Sequence, residues 1–144
     1  MLELCSIASG SSGNCICVGT DDCHVLIDAG ISGKKIENGL NEFDMTATDM
    51  QGILVTHEHI DHIKGVGILS RRYDLPILAN EKTWMAMRGL IGKIDPKNIM
   101  VFKSNTFFSY RDVDIHAIST FHDAVDPVAF IFYQKDKKIS IMTD

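Results

Sequence analysis

Short apolar runs divide the chain into a strand-rich start, a mixed middle and a strand-rich end. At the start, alternating or continuous apolar stretches predict strands over residues 2–7, 14–18 and 24–27. In the middle, residues 52–55 and 76–79 are apolar and partly β-branched, which is typical of buried strands. The last third of the chain predicts a series of strands, over residues 99–102, 106–110, 113–119, 128–133 and 138–142.

Apolar positions at helical spacing predict helices between these strands. One helix covers residues 33–40, with Ser32 as its N-cap. Two more cover residues 63–73 and residues 81–90. Helices that alternate with strands, followed by a run of strands, predict an α/β layered domain with a mostly antiparallel or mixed sheet.

The length and composition indicate a single globular unit. The chain has 144 residues, of which 45% are hydrophobic and 23% are charged. No apolar run approaches the ~20 residues that a membrane-spanning helix needs. The first residues also lack the basic stretch of a signal peptide. We therefore expect a cytoplasmic protein without a membrane partner.

The cysteines are concentrated at the start of the chain, where all 4 occur at positions 5, 15, 17 and 23. Cys15 and Cys17 would share one face of a strand, which allows a thiolate metal site. However, the chain has no C-x-x-C pair and no second cysteine cluster. Small buried thiols in a reducing compartment are therefore the favoured interpretation.

The formal net charge of −5 is a weak argument against a nucleic-acid partner, because proteins that bind nucleic acid usually carry a basic surface. Bound divalent cations would offset this charge inside a cleft. The basic doublets at residues 34–35 and 71–72 are typical of solvated faces. They are also the best local candidates for phosphate contacts.

Residues 57–62, with the sequence HEHIDH, follow a predicted buried strand directly. Neither a helix nor a strand would place all the histidines and Asp61 on one face, so a tight loop is expected. Imidazole and carboxylate groups suit zinc, iron or manganese. Glu58 lies between two inward-facing histidines and is expected to point away. The alternative is a polar loop that is rich in histidine but forms no metal site.

Three further segments place metal-type side chains at the ends of predicted strands. Asp28 could orient a histidine ligand from behind or simply begin a turn. His122 follows an alternating strand and is a candidate ligand, and Asp144 ends the last strand with a carboxylate that could bridge two cations. His24 and His116 lie within strand patterns and are expected to be packed or hydrogen-bonded instead.

These residues resemble the metal-ligand motifs of the metallo-β-lactamase superfamily. Further motifs resemble its YycJ/WalJ branch of bacterial hydrolases, and the resemblance covers essentially the whole chain. These motifs lie at residues 8–14, 56–59, 64–67, 80–84, 122–124 and 126–130.

The resemblance implies a four-layer αββα sandwich with a dinuclear site between its sheets. The ions would be two divalent cations, zinc or manganese, with iron possible. It implies that His57, His59 and His122 hold the first ion, that Asp61 and His62 hold the second, and that Asp144 bridges both. Asp28 would orient a histidine ligand without binding a cation itself. The implied activity is phosphodiester hydrolysis by a metal-bound hydroxide, which Asp61 would also orient, with DNA as the substrate of an exonuclease.

The chain stops within the motif that holds Asp144, and it offers no candidate for the last histidine of the second ion. We therefore expect residues 1–144 to be the N-terminal part of a single domain of about 200–260 residues. The second sheet is expected to be missing, which would leave an apolar sheet face uncovered. Self-association through that face is expected.

Three functions remain open at this stage. The first is a metal-dependent phosphodiesterase acting on DNA. The second is a hydrolase of small esters, thioesters or lactams on the same metal core. The third is a non-catalytic, metal-binding and oligomerising fragment, which could describe this chain even if the full protein is an enzyme.

Overall fold

Two β-sheets packed face to face form the centre of the computed structural model, which describes residues 1–142. The first sheet contains, in spatial order, β1 (Glu3–Ala8), β2 (Cys15–Gly19), β3 (His24–Ile27), β4 (Gly52–Leu54), β5 (Ile77–Asn80) and β6 (Ile99–Phe102). The second sheet contains β7 (Thr106–Tyr110), β8 (Val113–Ser119), β9 (Val128–Gln134) and β10 (Lys137–Ile141). The helices are α1 (Gly33–Asn41), α2 (Ile60–Ile63), α3 (Val66–Tyr73) and α4 (Glu81–Ile91). Short 3₁₀ turns lie at Ala47–Asp49 and Pro96–Asn98.

The first sheet is mixed, as the sequence predicts. Strands β1, β2 and β3 pair in antiparallel fashion, whereas β3, β4, β5 and β6 are parallel to one another. The connections between the parallel strands carry the helices. Because parallel strands end at the same edge of a sheet, the residues that follow β3 and β4 are brought together there.

The buried strands of the first sheet contribute side chains to two hydrophobic cores, one on each face of the sheet. Leu26, Ile53 and Ile77 face the helices, where they pack with residues of α1 to α4. Val25 and Ile27 point to the other side and pack, together with Leu54, against the second sheet. The second sheet contributes Ile115, Phe130 and Phe132 to this inner core, and all three are fully buried. Parallel strands that are buried on both faces explain the continuous apolar runs in the sequence.

The expectation that the second sheet would be missing was wrong. Strands β7 to β10 form an antiparallel sheet in the order β10-β9-β8-β7, and its inner face covers the first sheet. Each of these four strands was predicted to within one residue at either end. However, a period-2 pattern does not show which strands pair with one another. Within residues 1–142, the helices pack on the first sheet alone, so the uncovered face is the outer face of the second sheet.

The helix predicted over residues 63–73 is two helices in the structure. The chain becomes helical at Ile60, breaks after Ile63 and resumes at Val66. The break coincides with a close approach of Gly65 to the segment after β3, where the Gly65 amide donates to the Ala29 carbonyl at 2.6 Å. A side chain at position 65 would collide with the Ile31 carbonyl oxygen, so glycine is required there.

The prediction for α1 is confirmed, including its cap, because the Ser32 hydroxyl accepts a hydrogen bond from the Lys35 amide. No helix in the described part of the chain combines the length and the apolar character that crossing a bilayer requires.

Candidate metal centre

The site lies at the edge where strands of both sheets end. Asp28 follows β3, and residues 56–59 follow β4, on adjacent parallel strands of the first sheet. His122 comes from the loop between β8 and β9 of the second sheet. The Val128 amide donates to the Thr56 carbonyl at 3.0 Å, which joins the two sheets beside the site.

Three of the predicted ligands converge in the described residues. A nitrogen of each of His57, His59 and His122 lies within 4.8 Å of the corresponding nitrogens of the other two. The Nε2 atoms of His57 and His122 are buried and have no hydrogen-bond partner among residues 1–142. Buried imidazole nitrogens are costly when unpaired, and three converging nitrogens suit a zinc-like cation. These residues therefore fit a metal ion.

Burial determines the protonation state of His57. Desolvation, followed by the neighbouring His62, His59 and His122, lowers the pKa of His57 from 6.5 to about 3. His57 is therefore neutral at physiological pH. A neutral imidazole with a free lone pair is the form that binds a metal.

Asp61 and His62 lie beside this cluster, as expected, but they are presented by a helix and not by a loop. Both residues are in α2, which begins directly after His59. The ring centroids of His57 and His62 are 4.0 Å apart, and His62 Nε2 lies 3.7 Å from Asp61 Oδ2. One helical turn therefore places the predicted second pair of ligands against the first cluster.

Asp28 contacts a histidine, which is one of the two arrangements that the sequence left open. Its Oδ2 atom lies 2.6 Å from His62 Nδ1, and its Oδ1 atom accepts the Thr56 amide at 2.8 Å. Asp28 is fully buried, and burial raises its pKa while the hydrogen bonds from His62 and Thr56 act in the opposite direction. The carboxylate holds the proton of His62 on Nδ1, so that Nε2 faces the site.

Thr56 links Asp28 to His57 and so fixes the position of the proton on the His57 ring. This role was not predicted from the sequence. The Thr56 hydroxyl lies 2.7 Å from Asp28 Oδ2 and 2.9 Å from His57 Nδ1. A hydroxyl has one proton, and a carboxylate can only accept it. Thr56 therefore donates to Asp28 and accepts from His57 Nδ1, which leaves His57 Nε2 as the lone-pair nitrogen.

Glu58 connects the histidine segment to the loop that carries His122. Its Oε2 atom accepts a hydrogen bond from the Val125 amide at 3.1 Å. From the sequence, Glu58 was expected only to point away from the candidate ligands. The sequence holds no signal for its partner, because Val125 lies far along the chain and in the other sheet's loop.

Other candidates have different surroundings. Asp144 lies outside the described residues. His116 stacks on Phe107 with 3.9 Å between ring centroids, as a packed strand histidine would. Arg71 donates to the carbonyls of Ile91 and Lys93. Arg72 donates to Glu37, so this basic doublet makes structural contacts.

The fold and this set of residues define a class of protein. The chain belongs to the metallo-β-lactamase superfamily, whose sequence model matches residues 8–144. This confirms the family expected from the sequence.

Among curated proteins, the chain is similar to two named exodeoxyribonucleases. It is 43% identical over 143 residues to exodeoxyribonuclease YycJ of Bacillus anthracis, covering 99% of this chain and 54% of that protein. It is 43% identical over 140 residues to exodeoxyribonuclease WalJ of Streptococcus pneumoniae, covering 96% of this chain and 52% of that protein. The chain thus spans about half the length of these relatives.

Solved structures support the fold. The chain superposes on the Rm3 metallo-β-lactamase with a TM-score of 0.75 at 21% identity, covering 95% of this chain and 56% of that one. At this identity the likeness concerns the architecture alone.

Proposed function

We propose that this protein is a metal-dependent phosphodiesterase that degrades DNA as an exonuclease. The observation that carries the proposal is the cluster of His57, His59 and His122, whose ligand nitrogens lie within 4.8 Å of one another. Two of these histidines, His57 and His122, have buried Nε2 atoms without a hydrogen-bond partner among residues 1–142. The similarity to two named exodeoxyribonucleases supports DNA as the substrate. The acidic net charge does not oppose this, because the site would present bound cations to the phosphates.

The ligands would be divided between two divalent cations, zinc or manganese, with iron possible. His57, His59 and His122 would hold the first, Asp61 and His62 the second, and Asp144 both. Divalent cations supply Lewis acidity to a phosphodiester and lower the pKa of water toward neutrality.

The chain's own residues prepare this site in defined ways. Asp28 and Thr56 keep the Nδ1 atoms of His57 and His62 protonated, so that both Nε2 lone pairs face inward. The Asp61 side chain is 31% exposed, which leaves its carboxylate within reach of solvent. We assign Asp61 a second role: its carboxylate accepts a hydrogen bond from the attacking water and orients it.

The test is DNA cleavage by the full-length protein. End-labelled single-stranded and duplex DNA are incubated with Mn²⁺ or Zn²⁺, with and without a chelator. We expect stepwise shortening from one end, loss of activity with chelator, and a drop of at least about a hundredfold for Asp61→Ala. Asp22→Ala changes an exposed aspartate elsewhere and serves as the control. Equal cleavage with and without metal contradicts the proposal.

The same metal-loaded protein also tests the two alternative functions, a hydrolase of small substrates and a non-catalytic metal-binding fragment. Hydrolysis of small esters, thioesters or a lactam without any DNA cleavage would assign the metal core to small substrates. Metal binding without hydrolysis of any of these would assign a non-catalytic role.

We also propose that the protein works in the cytoplasm. All 4 cysteines, each within the described residues, are free thiols, and 3 of them are buried. Unpaired thiols are typical of a reducing compartment.

A further inference from the structure

Asn14 lies where the loop after β1 meets the metal centre. Its backbone amide donates to the Asp61 carbonyl at 2.8 Å, and its carbonyl accepts from the Gly30 amide at 2.8 Å. At Gly30, a side chain would overlap the Asp61 carbonyl oxygen, so the segments holding Asn14, Gly30 and Asp61 are in direct contact. The position of the Asn14 side chain relative to α2 is therefore fixed by backbone contacts.

The orientation of the Asn14 carboxamide is also defined. Its Oδ1 atom accepts the Gly10 amide at 3.2 Å, and its Nδ2 atom donates to the Gly10 carbonyl at 3.0 Å. If the amide were flipped, its NH₂ group would face the Gly10 N–H and its oxygen would face the Gly10 carbonyl, and neither contact could be a hydrogen bond. The NH₂ group is consequently directed toward Asp61 and His62.

Three acceptors compete for the second proton of this NH₂ group, and one of them is the Asp61 backbone carbonyl, 3.4 Å from Asn14 Nδ2. His62 Nε2 lies 3.2 Å from Asn14 Nδ2, and because Asp28 holds the His62 proton on Nδ1, Nε2 accepts. Asp61 Oδ2 lies 3.5 Å from the same Nδ2 atom. A single donor is thus shared between the two side chains that are proposed to hold the second cation.

We infer that Asn14 is a positioning residue for this second half of the site, an inference that rests on the proposed function. Without a cation, Asn14 Nδ2 donates to His62 Nε2 and keeps the imidazole aimed inward. If a cation were held by His62, the same N–H would be left for Asp61 Oδ2 and would hold that carboxylate in place. Asn14 therefore acts on the second cation and not on the first.

The first test is spectroscopic and uses the full-length protein stripped of metal. Long-range ¹H–¹⁵N correlation spectra report the imidazole nitrogens, with the His62 signals assigned by a His62→Gln variant. In Asn14→Ala we expect the His62 Nε2 resonance to move downfield, because it loses a hydrogen-bond donor. Unchanged His62 signals overturn the inference. If the alanine variant does not fold, Asn14→Ser gives the same readout, since its side chain is too short to reach His62.

The second test is a calorimetric titration with Zn²⁺ or Mn²⁺. In Asn14→Ala we expect the affinity for the second cation to fall about tenfold, and the affinity for the first to change by less than about threefold. Asn98→Ala is the matched control, because the Asn98 side chain also donates to an aspartate, Asp74, away from the site. Equal loss at both cations, or a wild-type protein that binds one cation only, overturns the inference. Neither readout involves DNA, so failure here is distinguishable from failure of the proposed nuclease activity.

Discussion

At the scale of single residues, the centre depends on side chains that need not touch a cation at all. Thr56 and Asp28 determine which nitrogen of His57 and His62 carries the proton. Both supporting residues are buried, so neither can exchange its partners for water.

Replacement of Thr56 by valine should expose this dependence. The variant keeps the shape of the side chain but removes the hydroxyl beside His57 Nδ1 and one of the two hydrogen bonds to Asp28 Oδ2. We expect a loss of about 1–3 kcal/mol in the free energy of unfolding, measured with urea. We also expect metal affinity to fall by about 10–100-fold. Thr48→Val, at an exposed threonine, should change neither quantity, and equal behaviour of the two variants contradicts this role for Thr56.

His57 should make the metal-free protein sensitive to acid. Its pKa is about 3 in the folded chain, against 6.5 as the ordinary value. Between these values the unfolded chain binds a proton that the folded chain does not, so stability should fall as the pH is lowered through 6.5 toward 3. Burial raises the pKa of Asp28, and this acts in the opposite direction.

The comparison with His57→Asn isolates the contribution of His57. Urea midpoints measured from pH 7.5 to pH 5 should fall less steeply for this variant than for the wild type. His116→Gln alters a histidine away from the cluster and should keep the wild-type slope. A slope that is the same in all three proteins would show that His57 does not cause the acid sensitivity.

At the scale of elements, glycines decide where helices and strands can approach one another. Gly30 contacts the carbonyl of Asp61, whereas Gly89 in α4 has open space around its Cα. Alanine at position 30 should destabilise the fold by at least about 3 kcal/mol, because the overlap is with backbone. Alanine at position 89 should stabilise it by about 0.5–1 kcal/mol, because the helix interior favours alanine. Thermal unfolding of both variants checks this, and a tolerated Gly30→Ala would contradict the close packing.

The sequence was most informative where periodicity and ligand chemistry act locally. Strands with period-2 patterns and helices with a clear cap were located within a few residues. His57, His59 and His122 were selected as candidate ligands from their chemistry and from their place after predicted strands. What it could not supply depends on distant partners. The pairing of β7 to β10 into a second sheet, the break at Gly65 and the contact of Asn14 with His62 all join residues that are far apart along the chain.

At the scale of the whole molecule, one sheet face remains open in the described part of the chain. On the outer face of the second sheet, Phe107 is 66% exposed and lies beside the rings of His116 and Tyr133. The face through which self-association was expected is covered by the second sheet, so the prediction of self-association now concerns this outer face, with a second copy of the chain as the expected partner.

Sedimentation of the 144-residue chain tests this prediction. We expect an oligomer at micromolar concentration, and a shift toward monomer in Phe107→Lys. Phe43→Lys changes an aromatic residue that is 45% exposed and should leave the oligomer intact. A monodisperse wild-type monomer would contradict the prediction.

The convergence of candidate ligands from two sheets would also affect how the protein unfolds. His57 and His122 are distant in sequence, and bringing such segments together in a flexible chain costs loop-closure entropy. A cation that binds both residues would act as a reversible cross-link between the layers, and any ligand that prefers the folded chain stabilises it by mass action. The availability of metal in the cell would thereby control the lifetime of the folded protein as well as its chemistry.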